Sequence, residues 1–352
     1  MRAGPATEDL AAGLAVGVDV RVIRAGRVLA TNVPAADVVL EWSSGRTVPA
    51  QLTYTAPASW VPQVPLDPLG RFGQRSLVDV IYRAPSGQEW RVPLGQYVHT
   101  GWEADGDKVS VTCADLTRLL EDDPMAWPSS PPRGATLRSE LQRLAGTLPV
   151  ALDVGVTDSA VATTTQWGTS RTEAVQSLAT SRSIGLRVEA DGVLHAYPLR
   201  DASVVDVIYR QGGLLISAPP APAGEVRRPN RWVVTGSTTE GGKETRWTAT
   251  RTSTAAPYDA AGYGWVTRHE EASDADSQAA VNRAADTIMR EDLYASRARS
   301  LTIVPDARLE VGDIVGVITA SGETFAGRVT GYSLPVTDLT ATMRVDVEVL
   351  DW

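Results

Sequence analysis

Cysteine is almost missing from the 352 residues: Cys113 stands alone, so no internal disulfide and no cysteine-rich zinc site can form. Its expected place is the core, as a small hydrophobe. Lysine occurs only as Lys108 and Lys243, leaving arginine to carry the positive charge; with abundant alanine, that is the bias of a GC-rich genome. Basic residues number 33 against 42 acidic ones, a net charge of −9. Binding nucleic acid without regard to sequence needs basic side chains that neutralise phosphates and release counterions, so the balance argues against that class. No apolar run is long enough to span a bilayer, and the 43% hydrophobic and 21% charged shares are those of a soluble globular chain. The opening "MRAGPATEDLAAGLAVGVDV" places Glu8 and Asp9 ahead of a weakly apolar stretch, without the basic region of a signal peptide.

Chemistry-bearing patterns are equally sparse. His99, His195 and His269 fall on separate expected strands or strand ends, and none shows the H-x-x-x-H or H-x-H spacing that puts two ligands on one face. No G-x-S-x-G elbow, phosphate loop or G-x-G-x-x-G links a strand to a helix. Neither a metal nor a cofactor is expected, and the chain does not read as an enzyme.

What the sequence does have is alternation. From Val18 to Thr117, short apolar-polar runs are broken by Gly, Pro, Asn or Ser, the pattern of strands joined by turns. "VDVRVI" and "RVLATNV" flank Ala25-Gly26 as a hairpin; "DVVLEW", "VPAQLTYT", "SLVDVIYR", "EWRVPLGQYV" and "KVSVTC" bring the count to six or seven strands, enough for a closed barrel or small sandwich. The interruption at residues 56–75, "APASWVPQVPLDPLGRFGQR", is dense in proline, which fixes φ and removes ladder donors; an ordered, irregular loop is expected.

After the proline-rich break at 123–135 the period changes. Leu137, Leu141, Leu144 and Leu148 line one helix face, and Ser170 with Glu173 forms an S-x-x-E box at the start of a second helix. "GLRVEADGVLHAYPL" reads as two strands about a two-residue Asp191-Gly192 turn. "SAPPAPAGEVRRPN" (217–230) suits a linker. Strands follow, then a helix over 274–293 that Ser273 and Asp276 would cap, with Val281, Ala285, Ile288 and Asp292 along one side; β structure resumes to the end. The fold class expected is mainly β with α+β insertions. Its divisions are 1–125, a β-barrel with the 56–75 loop; 126–216, a small α+β domain; 217–294, a β-rich domain with the helix; and 295–352, a second β-barrel.

One pattern is written twice. "DVIYRAPSGQEWRVPLGQY" begins at Asp79 and "GVITASGETFAGRVTGY" at Gly316: each has an apolar run, a Ser-Gly turn, an aromatic residue three positions past the glycine, and a tyrosine ten positions past it. The pairs are Gly87 and Gly322, Trp90 and Phe325, Tyr97 and Tyr332. We read this as an internal duplication, which makes the first and last domains two barrels of one kind.

That arrangement resembles the baseplate or tail-tip hub proteins of tailed bacteriophages and related injection machines. Two stretches carry the resemblance: "RTVPAQLTYTAP... PLDPLGRFGQRSLVDVIYR... GQEWRVPLGQYVHTGW... KVSVTCADLTRLLED", similar to the minor tail proteins of actinobacterial siphophages, and "IVPDARLEVGDIVGVI... GRVTGYSLPV". The resemblance implies a homotrimer whose six barrels match a threefold tip to a sixfold tail tube. It further implies distal tail or tube ring proteins, the C-terminus of a tape measure protein, and tip fibres or a spike as partners. DNA would pass through the channel without sequence-specific binding. The place would be the virion tail tip, assembled in the host cytoplasm. The alternatives are a distal-tail-like hexameric adaptor or a receptor- or glycan-binding tail module and, more weakly, a tail-associated peptidoglycan hydrolase.

The dense acidic spots, Glu121, Asp122 and Asp123, then Glu270, Glu271, Asp274 and Asp276, read as helix-end charges rather than catalytic pairs. Ten tryptophans against two phenylalanines suit cores and subunit contacts. Trp60 and Phe72, both in the proline-rich loop, are the expected subunit-interface residues.

Overall fold

The computed structural model describes residues 1–219, 227–240, 243–253, 258–272, 277–295, 298–338 and 340–350. The alternating runs form strands: β1 (Ala15–Arg24), β2 (Arg27–Ala30), β3 (Ala36–Ser43), β4 (Ala50–Pro57), β5 (Arg75–Arg83), β6 (Glu89–Asp105), β7 (Lys108–Asp115), β8 (Val150–Leu152), β9 (Ile184–Val188), β10 (Leu194–Pro198), β11 (Val207–Arg210), β12 (Leu215–Ser217), β13 (Arg231–Glu240), β14 (Lys243–Thr252), β15 (Thr267–Glu271), β16 (Ala298–Ile303), β17 (Ile314–Ile318), β18 (Thr324–Pro335) and β19 (Met343–Leu350). The helices among the described residues are α1 (Thr7–Ala12), α2 (Arg118–Asp122), α3 (Leu137–Ala145), α4 (Arg171–Ser181) and α5 (Gln278–Ala295). The chain is mainly β, as the alternation implies. No helix among the described residues is long and apolar enough to cross a membrane.

Contacts divide the chain into two compact units, Met1–Ala218 with Ser300–Trp352, and Pro219–Arg299. In the first, among the described residues, 13 strands are hydrogen-bonded into one sheet along the path β12-β16-β19-β18-β3-β4-β7-β6-β5-β1-β2, with β17 and β11 branching from β18. The path runs from β12 to β2 without those two strands pairing. Strands from both chain ends meet at its middle, where β18 runs antiparallel to β3 with Tyr332 opposite Trp42. One continuous core lies against these strands, from Val20 and Leu52 to Val317 and Val345.

The local turns follow their residues. Ala25 and Gly26 both have positive φ, the requirement of a two-residue hairpin with matching twist, and Arg24 pairs with Arg27 across it. The repeated Ser-Gly turns share one geometry. Gly87 N–H donates to Ala84 and Ala84 N–H to Gln88; Gly322 N–H donates to Thr319 and Thr319 N–H to Glu323. Their glycines have φ of 88° and 86°, so each is a three-residue loop closed by a left-handed glycine. Trp90 packs half-buried on the core and Phe325 is buried in it.

Also in the first unit, β8, β10 and β9 form a three-stranded sheet whose core joins Leu137, Leu141, Leu144 and Leu148 to Val175 and Leu178. Helix α3 ends at Ala145, because Gly146 takes a φ of 61°; Leu148 is therefore buried from beyond the helix. Ser170 Oγ accepts from Glu173 N–H at the start of α4, as the S-x-x-E spacing requires. The turn between β9 and β10 is longer than the Asp191-Gly192 pair alone: Glu189 N–H donates to Val193, leaving three residues between them.

In the second unit β13 lies between β14 and β15, and α5 packs Val281, Ala285 and Ile288 against Val234 and Ala249. The expected caps Ser273 and Asp276 lie outside the described residues, as do Asp274, Trp352 and part of the 217–230 stretch. At the observed start of α5, Ser277 Oγ accepts from Ala280 N–H.

Candidate functional site

The proline-rich segment is held to a single shape by polar groups of its own. β4 runs on to Pro57, opposite Lys108, so the irregular part is shorter than the composition suggests; one turn of 3₁₀ helix follows at Ala58–Trp60. Asp67 Oδ2 then accepts from the N–H groups of Gln63 (2.6 Å) and Val64 (3.0 Å). The fully buried Gln74 bonds with both ends of its amide. Its Nε2 donates to the carbonyls of Pro65 and Asp67, both at 2.9 Å, and its Oε1 accepts from Phe72 N–H at 2.6 Å. Gly70 leaves no room for a side chain, since a Cβ there would lie 2.6 Å from Pro65 O.

Behind the loop a chain of buried polar groups ties it to the sheet. His99 Nδ1–H donates to Gly70 O at 3.0 Å, which fixes the tautomer, because a carbonyl can only accept. Nε2 therefore accepts from Ser76 Oγ at 2.8 Å, and Ser76 Oγ in turn lies 3.0 Å from Tyr54 Oη. Burial lowers the His99 pKa to about 4, against a smaller opposing effect from the Gly70 and Leu69 carbonyls, so the ring is neutral at physiological pH. Cys113 is buried close by, and desolvation raises its thiol far above the usual range; it is a core residue.

With its backbone so fixed, the loop buries Leu69 completely and turns Val64, Leu66 and Phe72 outward, 56%, 57% and 54% exposed. The two residues expected at an interface therefore divide: Phe72 faces solvent, whereas Trp60 is half-buried against the main core. Val64 and Leu66 escaped the sequence reading; the signal that could have found them is their place between prolines that hold the chain out of any ladder. Arg24 Nε–H donates to Phe72 O at 2.8 Å and anchors the loop to the end of β1.

A second constellation joins the two halves of the repeat. Tyr97 and Tyr332 line one cavity of about 30 Å³ with Arg2, Asp115, Arg187 and Glu310, a space for about one water. Arg2 donates to the carbonyls of Leu309 (2.8 Å), Ala307 (3.1 Å) and Leu94 (3.4 Å) and lies 3.5 Å from Glu310. Tyr97 Oη–H donates to that same Leu94 carbonyl at 3.1 Å. Desolvation raises the pKa of both tyrosines. Burial opposes the charge on Arg2, but its surroundings, with Glu310 as the anion beside it, outweigh that and raise its pKa.

Beside it, "PDARLEVGD" becomes a buried ionic turn. Arg308 reaches Asp306 through Nε (2.9 Å to Oδ1) and Nη2 (2.7 Å to Oδ2), and Tyr209 Oη–H donates to Asp306 Oδ2 at 3.0 Å. Ala307 N–H donates to Tyr82 Oη, whose pKa burial pushes up to about 12.

His195 also gained partners that spacing did not reveal. Its Nδ1 lies 2.7 Å from Asp153 Oδ1, and its Nε2 3.4 Å from Asp191 and 3.8 Å from Glu189. Asp153, Glu189 and His195 are close enough to share a cation, but Arg187 already pairs with Glu189 at 2.7 Å. Burial works against the His195 proton, yet Asp153, Glu189 and Asp191 together raise its pKa, and each ring nitrogen has a carboxylate partner. Four members of the acidic spots are paired: Glu121 and Asp122 with Arg118, Asp123 with Arg171, and Glu270 with Arg268.

No protein-family model matches the sequence, and no curated protein matches it. Solved structures do match in fold. The tail protein from Neisseria meningitidis MC58 superimposes with a TM-score of 0.64 at 12% identity, over 95% of this chain and 97% of that one. The 43 kDa tail protein of prophage MuSo2 from Shewanella oneidensis gives 0.63 at 12% identity, over 94% and 98%. Prophage tail protein gp18 from Listeria monocytogenes EGD-e gives 0.57 at 12% identity, over 94% of each. The chain has the fold of these phage tail proteins over nearly its whole length.

Proposed function

We propose that this chain is a structural subunit of a phage-type tail, the homotrimeric hub of a siphophage tail tip in the virion. One observation carries the reading. The two copies of the repeated pattern, β5-β6-β7 and β17-β18-β19, are antiparallel meanders with the same glycine turn in one sheet, in a chain with the fold of known tail proteins.

A duplicated module lets three subunits present six similar faces, the number needed to sit on a sixfold tube. On this reading residues 1–125 and 295–352 are two barrel-like halves, carrying a small α+β domain (126–216) and a β-rich domain (217–294) between them. Tube or distal tail rings, the tape measure C-terminus and tip fibres or a spike are its partners, and DNA leaves through its channel. The work is mechanical rather than catalytic. An acidic lumen suits it, because the excess of 42 acidic over 33 basic residues favours passage of DNA over adhesion.

Class averages from electron microscopy, paired with the sedimentation mass of the purified protein, test the reading. A threefold ring with six similar lobes is expected; six subunits in the ring, or a lumen lined by arginine, overturns it.

A further inference from the structure

The first unit carries an apolar knob and an apolar hole at opposite ends of one strand pair. The knob is Phe72 with Val64 and Leu66, at the end where Ile23 pairs with Arg75 and Arg24 holds Phe72 O. The hole lies at the other end, where Val16 pairs with Tyr82. It has a volume of about 210 Å³ and is walled by Leu10, Leu14, Val16, Tyr82 and Val336, with the exposed Asp338 beside them. Seven residues of strand separate the two features, about 23 Å. An apolar cavity of about 150 Å³ is known to admit a benzene ring, so this one has room for a phenyl side chain.

From this pairing we infer that Phe72 of one copy enters the pocket between Leu14 and Val336 of the next, joining copies head to tail. The inference rests on the ring proposed above and names its contact. Three features fix the occupant as a second copy. The knob cannot reach the hole of its own chain along a rigid strand pair. The loop is preorganised by Asp67, Gln74 and His99, so little entropy is lost when it docks. The charges are complementary: exposed Arg71 and the Arg24 guanidinium flank the knob, whereas Asp338 lines the hole and Glu8 and Asp9 precede Leu10 on α1. A contact between different patches on the two partners generates a ring when its rotation closes.

Variants with one added cysteine, Phe72→Cys and Leu14→Cys, test this, because the native Cys113 is buried and stays out of the exchange. Mixed and mildly oxidised at a concentration where the wild type is associated, they should give a disulfide-linked pair that neither forms alone. Phe72→Asp, which alters only an exposed side chain, should keep the melting temperature and weaken association at least tenfold; Leu14→Trp, which fills the hole, should weaken it equally. A Phe72→Cys self-crosslink, no crosslink in the mixture, or a wild type that stays monomeric at high concentration each overturns the contact. Sedimentation separates this outcome from the fate of the hub: a trimer without the mixed crosslink removes the contact alone, whereas a hexamer with it removes the threefold reading and leaves the contact.

Discussion

Tyr97 and Tyr332, each ten positions past its own turn glycine, face the same small cavity, which Arg2 also lines while sharing the Leu94 carbonyl with Tyr97. The two halves of the repeat thus meet at one cation. Arg2→Met leaves three carbonyls and Glu310 without that donor and is expected to cost about 2–3 kcal/mol. Tyr97→Phe, which removes the other donor to the Leu94 carbonyl, should cost about 1 kcal/mol. Because Arg2 and Tyr97 share the Leu94 carbonyl, Arg2→Met combined with Tyr97→Phe strips it of both donors and should cost more than the sum; urea unfolding of the wild type, the two single variants and the double checks this, and strict additivity contradicts it.

His99 makes stability depend on pH in a defined direction. Its folded pKa, lowered to about 4 by burial, lies below the unfolded value near 6.5, so the unfolded chain takes up a proton first as the pH falls. The stability from this group is complete above about pH 6.5 and declines as the pH drops toward 4, by about 3 kcal/mol. Denaturant midpoints between pH 7 and pH 4, compared for the wild type and His99→Gln, should show a smaller decline in the variant.

Asp306→Asn should be among the most damaging single changes in the first unit. It leaves the Arg308 guanidinium, 3% exposed, without its anion, which costs about 3–5 kcal/mol when a buried pair loses one partner. Replacing both partners with apolar residues, Asp306→Leu with Arg308→Met, should cost less than Asp306→Asn alone. Thermal unfolding of the two variants ranks them.

Gly70→Ala places a Cβ 2.6 Å from Pro65 O. A backbone carbonyl cannot swing aside as a flexible side chain can, so the loop must open, and residues 61–74 should become a preferred site of limited proteolysis. The expected loss is about 1–3 kcal/mol. Gln74→Ala, which frees two carbonyls and an N–H, should open the same segment; cleavage elsewhere would show that the loop's shape does not depend on them.

How much of this was legible depends on the range of the contact. The hairpin at Ala25-Gly26, the two Ser-Gly turns, the leucine face of α3 and the Ser170 cap rest on residues within a few positions of one another, and their spacing is a local property. His195 shows the limit: its partner Asp153 stands 42 residues away, so a search for ligand spacing finds neither. The proline-rich loop shows another, because proline announces irregular backbone without saying which side chain faces water. Trp60 and Phe72 look alike in the sequence, and only the folded loop shows one half-buried on the core and the other outward, its backbone N–H held by Gln74.

The sequence by itself determined the strands, the turn chemistry and the twofold repetition, since alternation and left-handed glycines act on neighbouring residues. Tertiary structure alone decided that β18 lies beside β3, that Tyr97 and Tyr332 meet at Arg2, and that a knob and a hole occupy opposite ends of one ribbon. Those relations depend on strand register across hundreds of residues, which is set by burying both halves of the repeat in one core.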